Sequence, residues 1–202
     1  ATHNVKGRGR RRKHNATDNQ AATDYDKKWI PGQWKVPEAY DNPASNDPWY
    51  FSTIREANYF LETVVPRFEK GEIEGSETNI KHYIGEMYFL RAKNYLSKLE
   101  TFGDFPIIKN TLPDESESLI QASKRAPRYK VAHFILEDLD QAISLLTNNI
   151  SGGKNRITKN AALLLKSRAA LFEASWLTYH KGTALVPGGP GWPGKAEDIA
   201  DF

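Results

Sequence analysis

Apolar residues recur at intervals of three and four positions over four stretches of the chain, and this spacing predicts four amphipathic helices. The first helix is expected over 48–68 and the second over 77–101. The third begins near Pro127, and the fourth covers about 159–179. No stretch alternates apolar and polar residues for long enough to predict a substantial sheet. The pattern therefore indicates an all-α fold.

Residues at the ends of these stretches are typical of helix boundaries. Asp47 and Pro48 favour a helix start, because Asp accepts hydrogen bonds from free backbone N–H groups and Pro fits the first turn. Thr158 can cap the fourth helix in the same way. Gly103 can adopt the left-handed conformation that ends a helix, and Asp104 is expected to hydrogen-bond within the turn that follows.

The four helices recur as two hairpins about 80 residues apart, which predicts a tetratricopeptide-like arrangement with one shared core. The spacing exceeds the roughly 34 residues of an ordinary tetratricopeptide unit, so the likeness is one of architecture only. Arg91 and Asn58, at helix–helix positions, are expected to bind carbonyls or carboxylates of neighbouring elements. The residues expected in the core include Tyr50, Ile54, Ile84, Tyr88, Leu139, Ile143, Leu165 and Phe172.

The same pattern predicts a chain of three parts. Residues 1–47 are expected to be an irregular, loop-rich segment, because prolines and glycines interrupt every period, and 48–180 form the helical core. Residues 181–202 are rich in Gly and Pro, and they are expected to lead into a missing C-terminal half. Within the core, 105–109 is expected to be extended and 113–123 to be a polar, acidic loop.

Composition narrows the class of protein further. The chain has 202 residues, of which 39% are hydrophobic and 26% charged, and no cysteine, so disulfides and thiolate chemistry are excluded within it. Most of the excess positive charge lies in the run at 6–13, which has no interleaved aromatic residues for base stacking, and we expect no nucleic-acid site there. No signal peptide precedes this run, so either the protein is cytoplasmic or its start is missing.

The motifs of common enzyme classes are absent from the sequence. It has no nucleophile elbow, phosphate loop or helical zinc motif, and no two of its histidines are three or four residues apart. His82 and His133 are expected to be hydrogen-bonded structural residues. Asp114, Glu115 and Glu117 lie in the polar loop, where solvated carboxylates are expected instead of a general acid and base. We therefore expect no catalytic residue, no metal ligand and no cofactor.

Aromatic rings outside the helical pattern are the remaining candidates for a site. Trp29, Trp34 and Trp192 lie in segments rich in Pro and Gly, and no period explains them. Rings on loops over a rigid scaffold can stack on the faces of sugar rings. The alternative interpretation is that they only hold long loops against the helices. We predict that these three residues contact a ligand, with Trp29 and Trp34 ahead of Trp192.

Four stretches within the predicted helices carry recognisable motifs. The first reads WYFSTIREANYFL from Trp49. The second reads YFLRAKNYL from Tyr88 and FGDFPII from Phe102. The third begins at Arg128 and contains VAHFILEDLDQAISLL, and the fourth begins RITKNAA at Arg156. In this order and at this spacing, the motifs resemble those of the SusD/RagB family.

The resemblance implies an outer-membrane lipoprotein on the extracellular face that binds glycans, or peptides in the RagB branch, and does not hydrolyse them. It also implies a partner, a SusC-type TonB-dependent transporter, which the protein covers as a lid and supplies with ligand. The lipidated cysteine is absent from this chain, and family members are usually more than twice as long. An N-terminal portion of such a lipoprotein is therefore expected.

Two other classes of protein remain open on the residues alone. A helical glycoside hydrolase would need two facing carboxylates across an aromatic cleft. A cytoplasmic tetratricopeptide-like interaction scaffold would have neither a lipid anchor nor a transporter. A lipidation cysteine upstream would support only the lipoprotein.

Overall fold

The computed structural model describes residues 16–17, 20–21, 30–31, 33, 49–149, 155–192 and 195. The chain divides into two units, 1–38 and 39–202. In the first unit, β1 (Ala16–Thr17) pairs in antiparallel register with β2 (Gln20–Ala21). The basic run at 6–13 lies outside the described residues. Its expected lack of nucleic-acid binding and the three-part division of the chain therefore stay predictions.

Helices account for most of the described part of the second unit, which confirms the all-α fold. Four helices are long, as predicted, and the short α3 lies between the second and third of them. None of the helices in the described ranges is both long and apolar enough to span a membrane. The helices are α1 (Ser52–Glu69), α2 (Glu77–Phe102), α3 (Ser116–Ala122), α4 (Arg128–Leu145) and α5 (Lys159–Tyr179).

The start of α1 differs from the predicted one, because the helix begins at Ser52 and not at 48. The residues before it pack their rings against the end of α2. The ring centroids of Trp49 and Phe102 are 4.1 Å apart, and those of Phe51 and Phe105 are 5.1 Å apart. These aromatic contacts hold the chain across the end of α2, so the helix begins only after them.

The short helix α3 replaces the predicted polar loop at 113–123, so that prediction was wrong. Glu117 lies in its first turn, where a negative charge is favourable, and Gln121 Nε2 donates to Glu117 Oε1 at 2.7 Å. Seven residues are too few to display a helical period in the sequence. As expected, Asp114, Glu115 and Glu117 are exposed to solvent.

The long helices pack as two neighbouring hairpins, with α1 against α2 and α4 against α5, and α2 against α4 joins the two. All four contribute to one core, as predicted. Of the residues expected there, Ile54, Ile84 and Leu139 are buried. The others are only half-buried: Tyr50, which precedes α1, and Tyr88, Ile143, Leu165 and Phe172 on the long helices.

Caps at the helix ends agree with the sequence at two positions and differ at one. Gly103 has a φ of +75° and ends α2, and Thr158 Oγ1 accepts the N–H of Ala161 at 3.2 Å to begin α5. Asp104 differs from its predicted role within the turn. Its Oδ1 accepts the backbone N–H of Arg128 at 2.8 Å, so it caps the first residue of α4.

Candidate functional site

A pocket of about 300 Å³ lies between α1 and residues 105–112, the extended segment that follows α2. Residues one helical turn apart form the α1 side, and alternate residues of the segment face them, because side chains of extended backbone alternate between two faces. Helix α3 contributes a third side. The lining residues are Phe51, Ile54, Arg55 and Asn58, then Pro106, Ile108, Asn110 and Leu112, and finally Leu119 and Ser123.

A buried ion pair between Arg91 of α2 and Asp138 of α4 supports this pocket. Arg91 Nε donates to Asp138 Oδ2 at 2.8 Å and Arg91 Nη2 donates to Oδ1 at 2.7 Å. Arg91 Nη1 also donates to Asn58 Oδ1 at 2.8 Å and to the Lys109 carbonyl at 3.2 Å. The guanidinium thus joins three helices and the extended segment. The expectation that Arg91 and Asn58 belong to the scaffold is confirmed.

Asn58 and Tyr95 fix the backbone of the extended segment. Asn58 Nδ2 donates to the carbonyls of Ile108 and Asn110 at 2.9 and 3.3 Å. The Tyr95 hydroxyl accepts the Ile108 N–H at 2.8 Å and donates to the Ile108 carbonyl at 3.2 Å. Burial raises the pKa of Tyr95 to about 12, so the phenol stays neutral and able to donate near neutral pH. The wall of the pocket is therefore rigid and its buried polar groups are satisfied.

A second buried pair, Arg128 with Glu173, joins the start of α4 to α5. Arg128 Nε donates to Glu173 Oε2 at 2.8 Å, and the guanidinium lies 4.0 Å from the Trp176 ring centroid. Burial raises the pKa of Glu173, and it also raises the pKa of Asp138, although the nearby arginine opposes the shift in each case. Both carboxylates are held by arginines between helices, and neither lines the pocket.

The two helical histidines were expected to be hydrogen-bonded structural residues, and this is confirmed for His82. His82 is fully buried, and its Nδ1 accepts the backbone N–H of Thr147 at 3.3 Å. His133 contacts the Tyr129 ring edge-on, with centroids 6.3 Å apart. Within the described ranges, no group of three or more potential ligand residues is arranged to hold a metal ion.

The structure does not bring the three predicted ligand-binding tryptophans together. Trp192 is half-buried in the turns after α5, where its backbone N–H donates to the Gly189 carbonyl at 3.1 Å. Its indole Nε1 is buried and has no hydrogen-bond partner in the part of the chain that the structure describes. Trp192 does not line the pocket. Trp29 and Trp34 lie outside the described residues. Ligand contact by these three rings stays a prediction.

Sequence reasoning did not identify the pocket residues as a site. The alternation of Pro106, Ile108, Asn110 and Leu112 after a helix stop is a signal that the sequence offers for an extended edge. The α1 face that completes the pocket lies about 50 residues earlier, and no local period connects the two.

The sequence matches the model of a known protein family. Residues 3–171 match the model of the SusD-like family, described as starch-binding and associating with the outer membrane. The chain therefore belongs to the SusD-like family, as its motifs predicted. Proteins of this family bind carbohydrate, associate with the outer membrane and are in general not catalytic.

Several solved structures are similar to parts of this chain. A SusD-like protein from Bacteroides fragilis has 30% identity and a TM-score of 0.51, over 61% of this chain and 22% of that protein. A SusD-like carbohydrate-binding protein from Bacteroides vulgatus has 20% identity and a TM-score of 0.49, over 62% and 27%. Surface glycan-binding protein A from Bacteroides uniformis has 18% identity and a TM-score of 0.47, over 59% of this chain and 25% of that protein. The matched part is thus less than a third of each protein. No curated protein matches the chain.

Proposed function

We propose that this chain is part of a cell-surface protein that binds glycans and passes them to a SusC-type TonB-dependent transporter. The observation that carries this proposal is the family match over 3–171, to proteins described as starch-binding and outer-membrane-associated. The 30% identity to a SusD-like protein of Bacteroides fragilis supports it. A lipid anchor outside this chain holds the protein on the extracellular face of the membrane.

The packing of the helices supports a role as a scaffold for ligand-binding loops. The buried Arg91–Asp138 pair and the Tyr95 hydroxyl leave little freedom at the centre of the second unit. Rings on the flanking segments then stack on sugar faces, and reversible stacking gives moderate affinity, which suits release to a transporter. Trp29, Trp34 and Trp192 have this role in the proposal.

The surroundings of the carboxylates favour binding over hydrolysis. A glycosidase needs two carboxylates that face the scissile bond, one of them protonated. Asp138 and Glu173 have raised pKa values, but each is buried between helices against an arginine. The protein is therefore a binding protein in this proposal and not an enzyme.

Calorimetry on the full-length protein tests glycan binding, first on a glycan array and then with maltoheptaose or the best array ligand. We expect Trp29→Ala, Trp34→Ala or Trp192→Ala to weaken binding about fivefold or more, because a stacked ring is lost. The matched control is Tyr59→Ala, which removes an exposed ring from α1. Circular dichroism verifies the fold. Unchanged affinity in all three tryptophan variants, or no glycan bound by the unmodified protein, contradicts the proposal.

Delivery to a transporter has its own test. The tagged full-length protein, purified from outer membranes in mild detergent, is expected to co-purify with a TonB-dependent barrel identified by mass spectrometry. Deleting that barrel should abolish uptake of the bound glycan and leave surface binding unchanged. Recovery of the protein alone, together with normal uptake in the deletion strain, contradicts delivery.

A further inference from the structure

His82 of α2 is a buried titratable side chain outside the pocket, and it contacts the chain at the point where α4 ends. The residue is 0% exposed, and its Nδ1 accepts the backbone N–H of Thr147 at 3.3 Å. Thr147 directly follows Leu146, the C-cap residue of α4. This hydrogen bond therefore fixes the end of α4 to the first turns of α2.

The direction of this hydrogen bond defines where the imidazole ring holds its proton. A backbone N–H can only donate, so Nδ1 has a free lone pair and the proton of the neutral ring is on Nε2. Nε2 is buried and has no hydrogen-bond partner among the residues that the structure describes. A second proton can add only to Nδ1, where it would face the Thr147 N–H and remove the acceptor of that group.

Two charged groups lie on the other side of the ring. Glu86 Oε1, one turn further along α2, is 3.6 Å from His82 Nε2. Glu86 also pairs with Arg156 and accepts the Ile157 N–H at 3.2 Å. A positive charge on the ring is attracted to Glu86, although Arg156 opposes it. The α4 residues that pack against this turn of α2, beside Gly85, are uncharged: Ala142, Leu145 and Leu146.

Thr147 belongs to a short hydrogen-bonded segment, residues 147–149, that joins the end of α4 to the start of α5. Thr147 Oγ1 accepts the Asn149 N–H at 3.0 Å. Asn148 Oδ1 accepts the Asn160 N–H at 3.0 Å, and Asn148 Nδ2 donates to Asn160 Oδ1 at 3.2 Å. Loss of the bond to His82 would therefore detach this segment from α2.

We propose that His82 is a pH-dependent latch, which holds residues 147–149 to α2 while its ring is neutral and releases them when the ring is protonated. Histidine changes its charge between about pH 5 and 8, so the release occurs in mildly acidic medium. The protonated ring moves from the Thr147 amide towards Glu86. The start of α5 stays attached to α2 through Glu86. This device is separate from the rings to which we assign glycan binding and does not rest on the proposed function.

Hydrogen–deuterium exchange of the full-length protein at pH 7.5 and pH 5.5, measured by mass spectrometry, tests the latch. The exchange rates are corrected for the intrinsic pH dependence of amide exchange. Peptides that cover 146–149 should then lose protection about tenfold at pH 5.5, because a hydrogen bond of the segment is lost. Peptides from the middle of α4 should keep their protection, because only the end of the helix is released.

Two variants separate His82 from other effects of acid. His82→Asn retains an acceptor near the position of Nδ1 but cannot be protonated, so residues 146–149 should be equally protected at both pH values. The matched control is His133→Gln, which removes the other helical histidine, the one that packs against Tyr129. This control should keep the loss of protection at pH 5.5. Circular dichroism verifies the fold of each variant.

Glu86→Gln tests the counter-charge of the latch. Without the negative charge, protonation of His82 is less favourable, so the release should need a pH lower by about one unit. Release at an unchanged or higher pH would overturn the role of Glu86.

The outcomes can overturn the latch without affecting glycan binding. Equal protection of 146–149 at the two pH values in the unmodified protein overturns it, whether or not the variants fold. A pH effect that persists in His82→Asn, or disappears in His133→Gln, belongs to another group and also overturns it. Glycan binding at pH 7.5 should be the same in His82→Asn and the unmodified protein, so each proposal can fail alone.

Discussion

Two buried arginine–carboxylate pairs hold the helices together, and they differ in how fully their polar atoms are satisfied. Asp138 binds Arg91 through both of its oxygens, and the arginine has further acceptors in Asn58 Oδ1 of α1 and the Lys109 carbonyl of the extended segment. Glu173 binds Arg128 through Oε2 only. Three buried polar atoms at this pair have no hydrogen-bond partner among the described residues: Glu173 Oε1, Arg128 Nη2 and Trp176 Nε1.

The difference indicates what each pair contributes. A buried polar atom without a partner costs about 1–3 kcal/mol, so an incompletely bonded pair retains little net stability. The complete pair stabilises the geometry of the pocket wall, whereas the incomplete pair relies on the Trp176 ring to lie against its cation. Two ion pairs of the same type can therefore contribute very different amounts to the stability of one helical unit.

The strongest test of this comparison is Asp138→Asn. We expect the free energy of unfolding to fall by about 3–5 kcal/mol, because the buried Arg91 charge would lose its counter-charge. Urea unfolding followed by circular dichroism measures the change. A loss below about 1 kcal/mol would mean that the complete pair, Arg91 with Asp138, stabilises the fold no more than a surface pair does.

Glu173→Gln is expected to change the free energy of unfolding by less than about 1 kcal/mol at neutral pH, because the second pair is incompletely bonded and burial favours the uncharged side chain. Its pH dependence is distinctive. The pKa of Glu173 is raised above 4.5, chiefly by burial, while Arg128 and His133 oppose this and Asp104 adds to it. Protonation therefore stabilises the folded state fully below about pH 4.5, and this contribution is lost as the pH rises through the folded-state pKa.

Unfolding of the unmodified chain and of Glu173→Gln at a series of pH values measures that contribution. The stability of the unmodified chain relative to the variant should increase from pH 7 towards pH 4.5. A constant difference between the two proteins would contradict the raised pKa of this carboxyl.

Tyr95→Phe should cost about 1 kcal/mol at neutral pH, since two hydrogen bonds to Ile108 are lost. The pKa of Tyr95 is raised from 10.0 to about 12, so its contribution is complete below pH 10 and is lost as the pH rises through about 12. Denaturation at pH 8 and pH 12 tests this. The two proteins should converge in stability at the higher pH, and a constant gap would exclude the proposed role of the phenol.

The smallest expected effect is that of Glu137→Gln, next to Asp138 on α4. Glu137 pairs with Lys109 at 3.6 Å, but both side chains are more than half exposed. We expect a change below about 0.5 kcal/mol. Together with Asp138→Asn, this variant separates the effect of burial from that of charge, and equal losses would show that burial is not the deciding factor.

The sequence predicts those parts of the fold whose causes are local. The bounds of α2 and α5 follow from their apolar periods together with Gly103 and Thr158. The start of α1 was mispredicted, because aromatic contacts between Trp49 and Phe102, far apart in sequence, override the capping signal before it. Helix α3 was missed, because its few residues carry no period.

The candidate site was less predictable than the fold. Family motifs indicated a carbohydrate-binding family, and the Arg91 motif residue has the structural role expected of it. The pocket depends on Arg55 and Asn110, which are brought to one cavity by tertiary packing alone. The structure also shows that Asn58, the third polar side chain of the pocket on α1 and the segment, is already hydrogen-bonded to Arg91 and the Ile108 carbonyl.

The Arg91–Asp138 pair also bears on how the two hairpins find their alignment during folding. A misaligned assembly could have α2 displaced along α4 by one turn, about 5.4 Å. Such a slip would separate Arg91 from Asp138 and leave both charges dehydrated among apolar side chains. Misaligned assemblies are thereby penalised far more than a purely apolar interface would penalise them. The pair thus favours a single register between the two hairpins.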